Sequence, residues 1–474
     1  MTTHRRLLSN TAAAIVGSVL QRLLALGTTM LLARGLGTEQ FGTYAFIGAY
    51  LFLFTFLVDM GLERVMSREL ARTPERAGEL LGTAFLMRGT LAVLAAALAT
   101  IIALFLRLPA LTWWCILLAA AGMPLSIEIL ARSFLQSRFE MHYAYLLILP
   151  ANVTQLVLVA LILRAGGGLL PIFAAALATV GMTAALILWV TLPKMRVVWR
   201  VNPELVRYLW RESWELGLVL LIFIVALRID QLLLFWLSGA EELARYAVAV
   251  KIVEALSLIP ESIMVTVFPL LAATEFSAPA RFRRVYELTV RCVVLMVLPL
   301  ALVITLDRDL VIRLLFGSGY TPAAGALTIL SWWMFFAYTG AVYLGLMMVR
   351  KQQRVLGVVS LASLAINIVC NLLWIPRWGA TGAAAANLVS SAAAFGMFCV
   401  IPQTASMMAV CWEEAIRPIV AISVTAAAVS LLHQEMRVIA VAPIYVTVLV
   451  LIGGVDRHDW ALARALWEPS RRGS

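Results

Sequence analysis

Five cations stand inside apolar runs: Arg22, Arg88, Arg228, Lys251 and Arg291. Arg228 shares its run, FIVALRIDQLLLFW (223–236), with Asp230. A guanidinium offers a fork of N–H donors matched to anionic oxygens, and a charge within hydrocarbon is costly enough to count as functional by default. Asp230 raises a separate question. Two residues along a helix is about 200° of rotation, so Asp230 and Arg228 project to different faces and should not pair directly. Asn367 and Asn371 are four apart on one helix face, and Asn387 and Ser390 follow in the next apolar run. A carboxylate with amide oxygens suits a hard cation such as Na⁺. The alternative has the asparagines bonding one another across helices and Asp230 paired with Lys251. Arg88, Lys251 and Arg291 lie near enough to a span end to snorkel or to pair with a neighbouring helix, whereas depth opposes this for Arg22 and Arg228. Glu128 and Arg132, four apart, read as an intrahelical pair.

The elements that must position these groups follow from composition. Of 474 residues 62% are hydrophobic and 13% charged, and the apolar residues recur in blocks of about 20, long enough to cross a hydrocarbon core of ~30 Å. Backbone groups in lipid have no water to bond, so blocks of that length form helices. The blocks are 11–33, 41–62, 81–106, 111–132, 143–163, 169–192, 214–237, 245–274, 286–306, 322–349, 355–376, 379–402, 415–432 and 438–455. The predicted fold is therefore all-α and polytopic, with about 14 transmembrane helices. An even number puts both termini on one side, and loop Lys and Arg accumulate in the cytoplasm. With the termini inside, 24 of the 37 basic residues fall in inner loops and tails and 8 outside, counting Arg132, Arg245 and Arg417 at span ends with the adjoining loops. The other 5 are the intramembrane cations. The net charge of +11 thus points to anionic membrane lipids at the inner face and gives no reason to invoke nucleic acid.

The chain divides into an N-terminal lobe (1–192, six spans), a cytoplasmic linker (193–213), a C-terminal lobe (214–402, six spans), two further spans (403–455) and a cytoplasmic tail (456–474). The inner segments 63–80 and 193–213 carry apolar residues at helical spacing, among them Leu205, Tyr208 and Leu209 with Val197, Trp199 and Val201 nearby, which suits short helices on the inner membrane surface. The second segment also lies where a hinge between halves would be. The halves repeat: Gly37-Thr-Glu-Gln-Phe-Gly-Thr-Tyr44-Ala aligns with Gly239-Ala-Glu-Glu-Leu-Ala-Arg-Tyr246-Ala at an offset of 202, each bridging the first two spans of its half. Parallel six-helix repeats fit a transporter whose lobes rock about a central site. The five cysteines show no CxxC spacing and no neighbouring His, which opposes a metal site, and His4, His142, His433 and His458 lie near or beyond span ends. The apolar run after MTTHRRLLSN is long and lacks a small-residue cleavage site, so a retained first helix is expected.

ARGLGTEQFGTYAF (33–46), VDMGLERVMSRELA (58–71), RIDQLLLFWLSGAEELARYAVAVKIVEALSLIPESI (228–263), LFGSGYTPAAGALTIL (315–330) and NLLWIPRWGATGAAAANL (371–388) together resemble the Wzx-type oligosaccharide flippases. That family belongs to the superfamily that also holds multidrug extruders and lipid II flippases. The resemblance implies a two-lobed V-shaped bundle with a central cavity opening to either side in turn. It also implies a cargo of polyprenyl-diphosphate-linked oligosaccharide for O-antigen, capsule or exopolysaccharide, carried across the inner membrane alongside other polysaccharide assembly proteins. Such a cargo accounts for the cations: Arg22 and Arg228, at matching depths in the two repeats, become diphosphate ligands, with Arg88, Arg291 and Lys251 along the path. By resemblance to the lipid II flippases, Asp230, Asn367, Asn371 and Asn387 become candidate groups for a coupling ion, Na⁺ or H⁺.

Two other classes remain. A multidrug cation antiporter would offer acidic and aromatic groups, and the midplane arginines count against it. A membrane-embedded polysaccharide polymerase or ligase needs a sizeable outer loop with catalytic groups, and no loop here has that length. The chain is therefore expected to be no enzyme. It carries no nucleotide-binding motif either, so transport would draw on an ion gradient or on substrate consumption.

Overall fold

The computed structural model describes residues 3–454 except 139, 276 and 351, so the predicted tail 456–474 lies outside the described residues. The helices are α1 (Thr3–Asp59), α2 (Leu62–Arg72), α3 (Ala77–Phe105), α4 (Ala110–Ala120), α5 (Glu128–Ser137), α6 (Met141–Arg164), α7 (Leu169–Met195), α8 (Pro203–Leu256), α9 (Leu258–Thr274), α10 (Pro279–Leu306), α11 (Arg308–Phe316), α12 (Ala324–Val349), α13 (Gln353–Val400), α14 (Pro402–Ser430) and α15 (Gln434–Leu451). Short 3-10 turns occupy Pro74–Arg76, Pro124–Ile127 and Ser318–Ala323, and the described residues contain no strand.

Three of these helices are folded back on a glycine. Gly37 in α1 has φ 75° and ψ 175°, and Gly239 in α8 has φ 89° and ψ 178°, a region closed to side chains with a β-carbon. These are the first glycines of the two repeated segments, so the repeat marks a repeated turn. Gly379 divides α13 in the same way. Among the described residues nine helical stretches are long and apolar enough to cross a membrane. Dividing three of them at these glycines, and counting α14 and the shorter apolar helix α15, yields fourteen legs matching the fourteen apolar blocks. Large apolar side chains such as Leu94, Leu146, Trp189 and Val358 are exposed along the legs, as lipid rather than water requires. The protein is an all-α, multi-pass membrane protein.

Contacts group the residues into two compact units. The first holds Met1–Lys251 with Leu315–Tyr320 and Asn371–Ala380; the second holds Ile252–Leu314, Thr321–Cys370 and Thr381–Ser474. In the first, α1 packs along α6, α6 along α7, and α2 against α5. One face of α2 buries Leu62, Val65, Met66 and Leu70 in a cluster with Leu81 and Phe134. In the second, α10 lies against α12 and α14, and α14 against α15. There the Tyr338 hydroxyl donates to the Val253 carbonyl at 2.8 Å.

The segment after α7 meets the expected surface helix in part: Leu205, Tyr208 and Leu209 lie on a helix, and the residues before them do not. Residues 196–202 form a non-helical strap that opens with Arg196 in the left-handed region (φ 48°), and Pro203 already begins α8. Backbone pairing with α3 takes the place of helical bonding: Val198 N–H donates to the Gly78 carbonyl at 3.0 Å. A β-carbon at Gly82 would lie 1.9 Å from the Val198 carbonyl oxygen, so glycine permits the approach. The Asn202 side chain then donates to Glu79 at 2.7 Å and accepts from Glu204 N–H at 3.0 Å, capping α8. Arg68 on α2 donates to Glu212 at 2.7 Å, which holds that carboxyl below the usual carboxylate range.

Candidate functional site

The second leg of α1 and the first leg of α8 run antiparallel within the first unit. Phe46 stacks on Phe235 with centroids 3.9 Å apart, and about two turns away the Arg228 guanidinium lies over the Phe52 ring at 4.9 Å. Arg228 is half-buried in this position. The π-face favours the cation where water is scarce, and a guanidinium's planar fork of N–H groups matches anionic oxygens. Arg22, on the first leg of α1, is also half-buried. The repeat offset of 202 places Arg22 opposite Ile224 and Arg228 opposite Leu26, so the two arginines differ by one helical turn in register.

The remaining intramembrane cations have other surroundings. Arg88 is buried and ion-paired with Asp59, while its Nε donates to the Ser126 carbonyl at 3.3 Å. Asp59 also accepts from the N–H groups of Gly61 (3.2 Å) and Glu63 (3.3 Å), which ties the end of α1 to the start of α2. Arg291, in the second unit, donates through Nε to Glu414 on α14 at 2.5 Å. Lys251 is half-buried on the second leg of α8. Arg132 and Glu128 form the intrahelical pair that their spacing predicts, at 3.4 Å.

Asp230 is 5% exposed. It accepts from the Tyr246 hydroxyl and, at 2.7 Å, from Gln231 N–H. Tyr246 is the last aromatic of the second repeated segment, and the fold-back at Gly239 carries it to Asp230. At the corresponding place in the first repeat stands Thr28, whose hydroxyl donates to the Leu24 carbonyl of its own helix at 2.9 Å. Asn367 donates to Asn387 at 2.9 Å and to Ser390 at 3.3 Å, so the two legs of α13 are joined by amides and hydroxyls. Asn371 is fully buried. Asp230 and Asn371 belong to the first unit, Asn367 and Asn387 to the second.

Sequence reasoning missed Phe52, Asp59, Tyr246 and Glu414 as partners. Asp59 and Tyr246 stand inside the segments that carry the resemblance and the repeat, which was an available signal. Phe52 belongs to a run of similar aromatic residues, LFLFTF (51–56), in which nothing distinguishes it.

The model of a family described as polysaccharide biosynthesis proteins matches residues 7–275. Comparison with curated protein sequences gives no match. Among solved structures, the lipid II flippase MurJ in an inward closed conformation superposes with a TM-score of 0.73 at 12% identity, covering 94% of this chain and 99% of that one. An inward-facing multidrug resistance MATE family transporter of the MOP superfamily gives 0.68 at 14% identity, covering 85% of this chain and 99% of that one. A MOP superfamily transporter from Pyrococcus furiosus gives 0.59 at 15% identity, with 86% and 96% covered. At these identities the likenesses establish the fold, which is that of transporters and a flippase rather than of enzymes. The family model spans more than half of the sequence, including the Gly37 turn, Arg22, Arg88, Arg228 and Asp230, and the chain belongs to the polysaccharide biosynthesis protein family.

Proposed function

We propose that the protein flips a polyprenyl-diphosphate-linked oligosaccharide across the inner (cytoplasmic) membrane by alternating access, with both termini in the cytoplasm, for O-antigen or exopolysaccharide assembly. The observation that carries this reading is Arg228, a permanently charged group in an apolar span, stacked on Phe52. A diphosphate cannot cross hydrocarbon without paired or solvated charges, and guanidinium is the side chain best matched to its oxygens. Arg22 is the second proposed diphosphate ligand. Arg88, Arg291 and Lys251 are proposed along the route, the first two as groups whose charge Asp59 and Glu414 already balance. The coupling ion, Na⁺ or H⁺, is proposed to act at Asp230. That the known lipid II flippase shares this fold supports a lipid-linked cargo.

The test is glycan export in cells together with uptake of a lipid-linked diphosphate oligosaccharide in proteoliposomes. Arg22→Ala and Arg228→Ala should each reduce transport by roughly 10- to 100-fold, the worth of a charge-assisted hydrogen bond of about 1.5–3 kcal/mol, with membrane protein levels intact. Lys should restore part of it, since it keeps the charge but not the fork. Normal export by both Ala variants would overturn the assignment. Gradient-driven efflux of cationic dyes by the wild-type protein, without lipid transport, would favour a multidrug antiporter instead.

A further inference from the structure

The strap and the first turns of α8 present a surface that the transport reading does not use. Val198, Trp199 and Val201 on the strap are exposed, Trp199 by 62%, although the strap backbone is fixed against α3. On α8, Arg207, Trp210, Arg211 and Trp214 are all exposed and lie at i, i+3, i+4 and i+7, a single helix face. Leu205, Leu209 and Ser213, on the opposite face, are buried. The outward face of this helix thus alternates guanidinium and indole, with the exposed carboxylates of Glu204 and Glu215 at its margin. Arg196 and Arg200 add two exposed cations on the strap.

Solvent does not call for large indoles, and a hydrocarbon surface does not call for arginines. Both are favoured at the boundary between the two, where indoles sit at headgroup depth and cations meet phosphates. The helix itself supplies the depth. Trp214 and the exposed Trp236 are the ends of one continuous stretch of α8, separated by about 33 Å at 1.5 Å per residue, close to the thickness of a hydrocarbon core. Trp214 therefore lies at one interface, and Arg211, Trp210 and Arg207 follow it into the headgroup layer. The strap is already ordered by Val198 N–H on the Gly78 carbonyl, by Asn202 on Glu79 and by Arg68 on Glu212, so a ligand meeting it has little backbone entropy to remove.

We propose that this surface binds anionic phospholipids, with Arg196, Arg200, Arg207 and Arg211 on the phosphates and Trp199, Trp210 and Trp214 at the glycerol level. The surface holds bulk lipid and is separate from the proposed cargo ligands Arg22 and Arg228, so the inference stands whether or not the cargo is a lipid-linked glycan.

The test uses the full-length protein, purified and delipidated, with phosphatidylglycerol or phosphatidylcholine of identical acyl chains added back. Native mass spectrometry should show the wild type retaining phosphatidylglycerol about tenfold better than phosphatidylcholine. The combined Arg196→Gln, Arg200→Gln, Arg207→Gln and Arg211→Gln variant should lose that preference, and the same four positions changed to Lys should keep most of it. Trp210→Leu with Trp214→Leu should weaken retention of both lipids. Equal retention of the two lipids by the wild type would overturn the proposal, as would an undiminished preference in the Gln variant. If the Gln variant does not fold, the wild type decides. Phosphatidylglycerol should raise its melting temperature more than phosphatidylcholine does at 50 mM salt, and the difference should vanish at 0.5 M; a difference that survives the salt would refute an electrostatic surface.

Discussion

Tyr246 donates its hydroxyl to Asp230, a bond that satisfies a carboxylate oxygen without supplying an opposite charge. Under the coupling proposal, Asp230→Asn should yield a stable protein whose transport in proteoliposomes no longer responds to an ion gradient. If Asp230 is instead a structural counter-ion for Lys251, the same change leaves a half-buried cation unbalanced and should lower the melting temperature; Lys251→Met should then restore it. Recovery of both stability and export in the double variant would remove Asp230 from the coupling role. What the sequence disclosed at this scale was residue type and depth. Arg228 and Asp230 stand out because a charge in an apolar run has few explanations. Partners were illegible for a different reason: Phe52 and Glu414 become partners only once it is known which helix faces meet, and one-dimensional periodicity says which face a residue is on, not what lies opposite.

Among the elements, the strap after α7 shows how tertiary contact overrides a local pattern. Val197, Trp199 and Val201 fit the spacing of a short surface helix, yet the Val198 N–H bond to the Gly78 carbonyl of α3 holds them in a non-helical strap. Two glycines of α3 offer a controlled comparison. Gly82 faces the Val198 carbonyl, whereas nothing lies within 4 Å of a β-carbon at Gly89. Gly82→Ala should force the strap away and destabilise the protein by roughly 1–3 kcal/mol, while Gly89→Ala, in the same helix, should be neutral or stabilising by up to about 1 kcal/mol. Thermal unfolding of the two variants in one detergent checks this, and equal melting temperatures would show that the strap is not seated on Gly82. The folded-back helices were better foreshadowed. The gaps between apolar blocks fall at Gly37 and Gly239, and the shared spacing of the two segments identified both turns at once.

For the whole molecule, an even number of legs puts the two ends of the described chain on one side, and the distribution of basic residues supports the proposal that this side is the cytoplasm. Reporter fusions near Glu75 and Pro203 should report cytoplasm, and fusions near Glu39, Gly167 and Glu241 should report the opposite side. One reversed signal at a stably expressed fusion would break the map. The count was legible because hydrocarbon imposes both length and helicity on any chain that crosses it. The two repeated turns also touch: a β-carbon at Gly42 would lie 1.8 Å from the Ala240 carbonyl oxygen, so the first turn is seated directly on the backbone of the second. Despite this intimacy they have not remained equivalent. Tyr246 is bonded to a carboxylate, whereas Tyr44 rests near the Phe173 ring, with centroids 5.3 Å apart, and Thr28 stands where the carboxylate would be. The two repeated turns therefore carry different chemistry at equivalent positions. If Asp230 carries the proposed coupling ion, the ion would be taken up at the fold-back of one repeat, and the other repeat would be driven through the contact between the two turns.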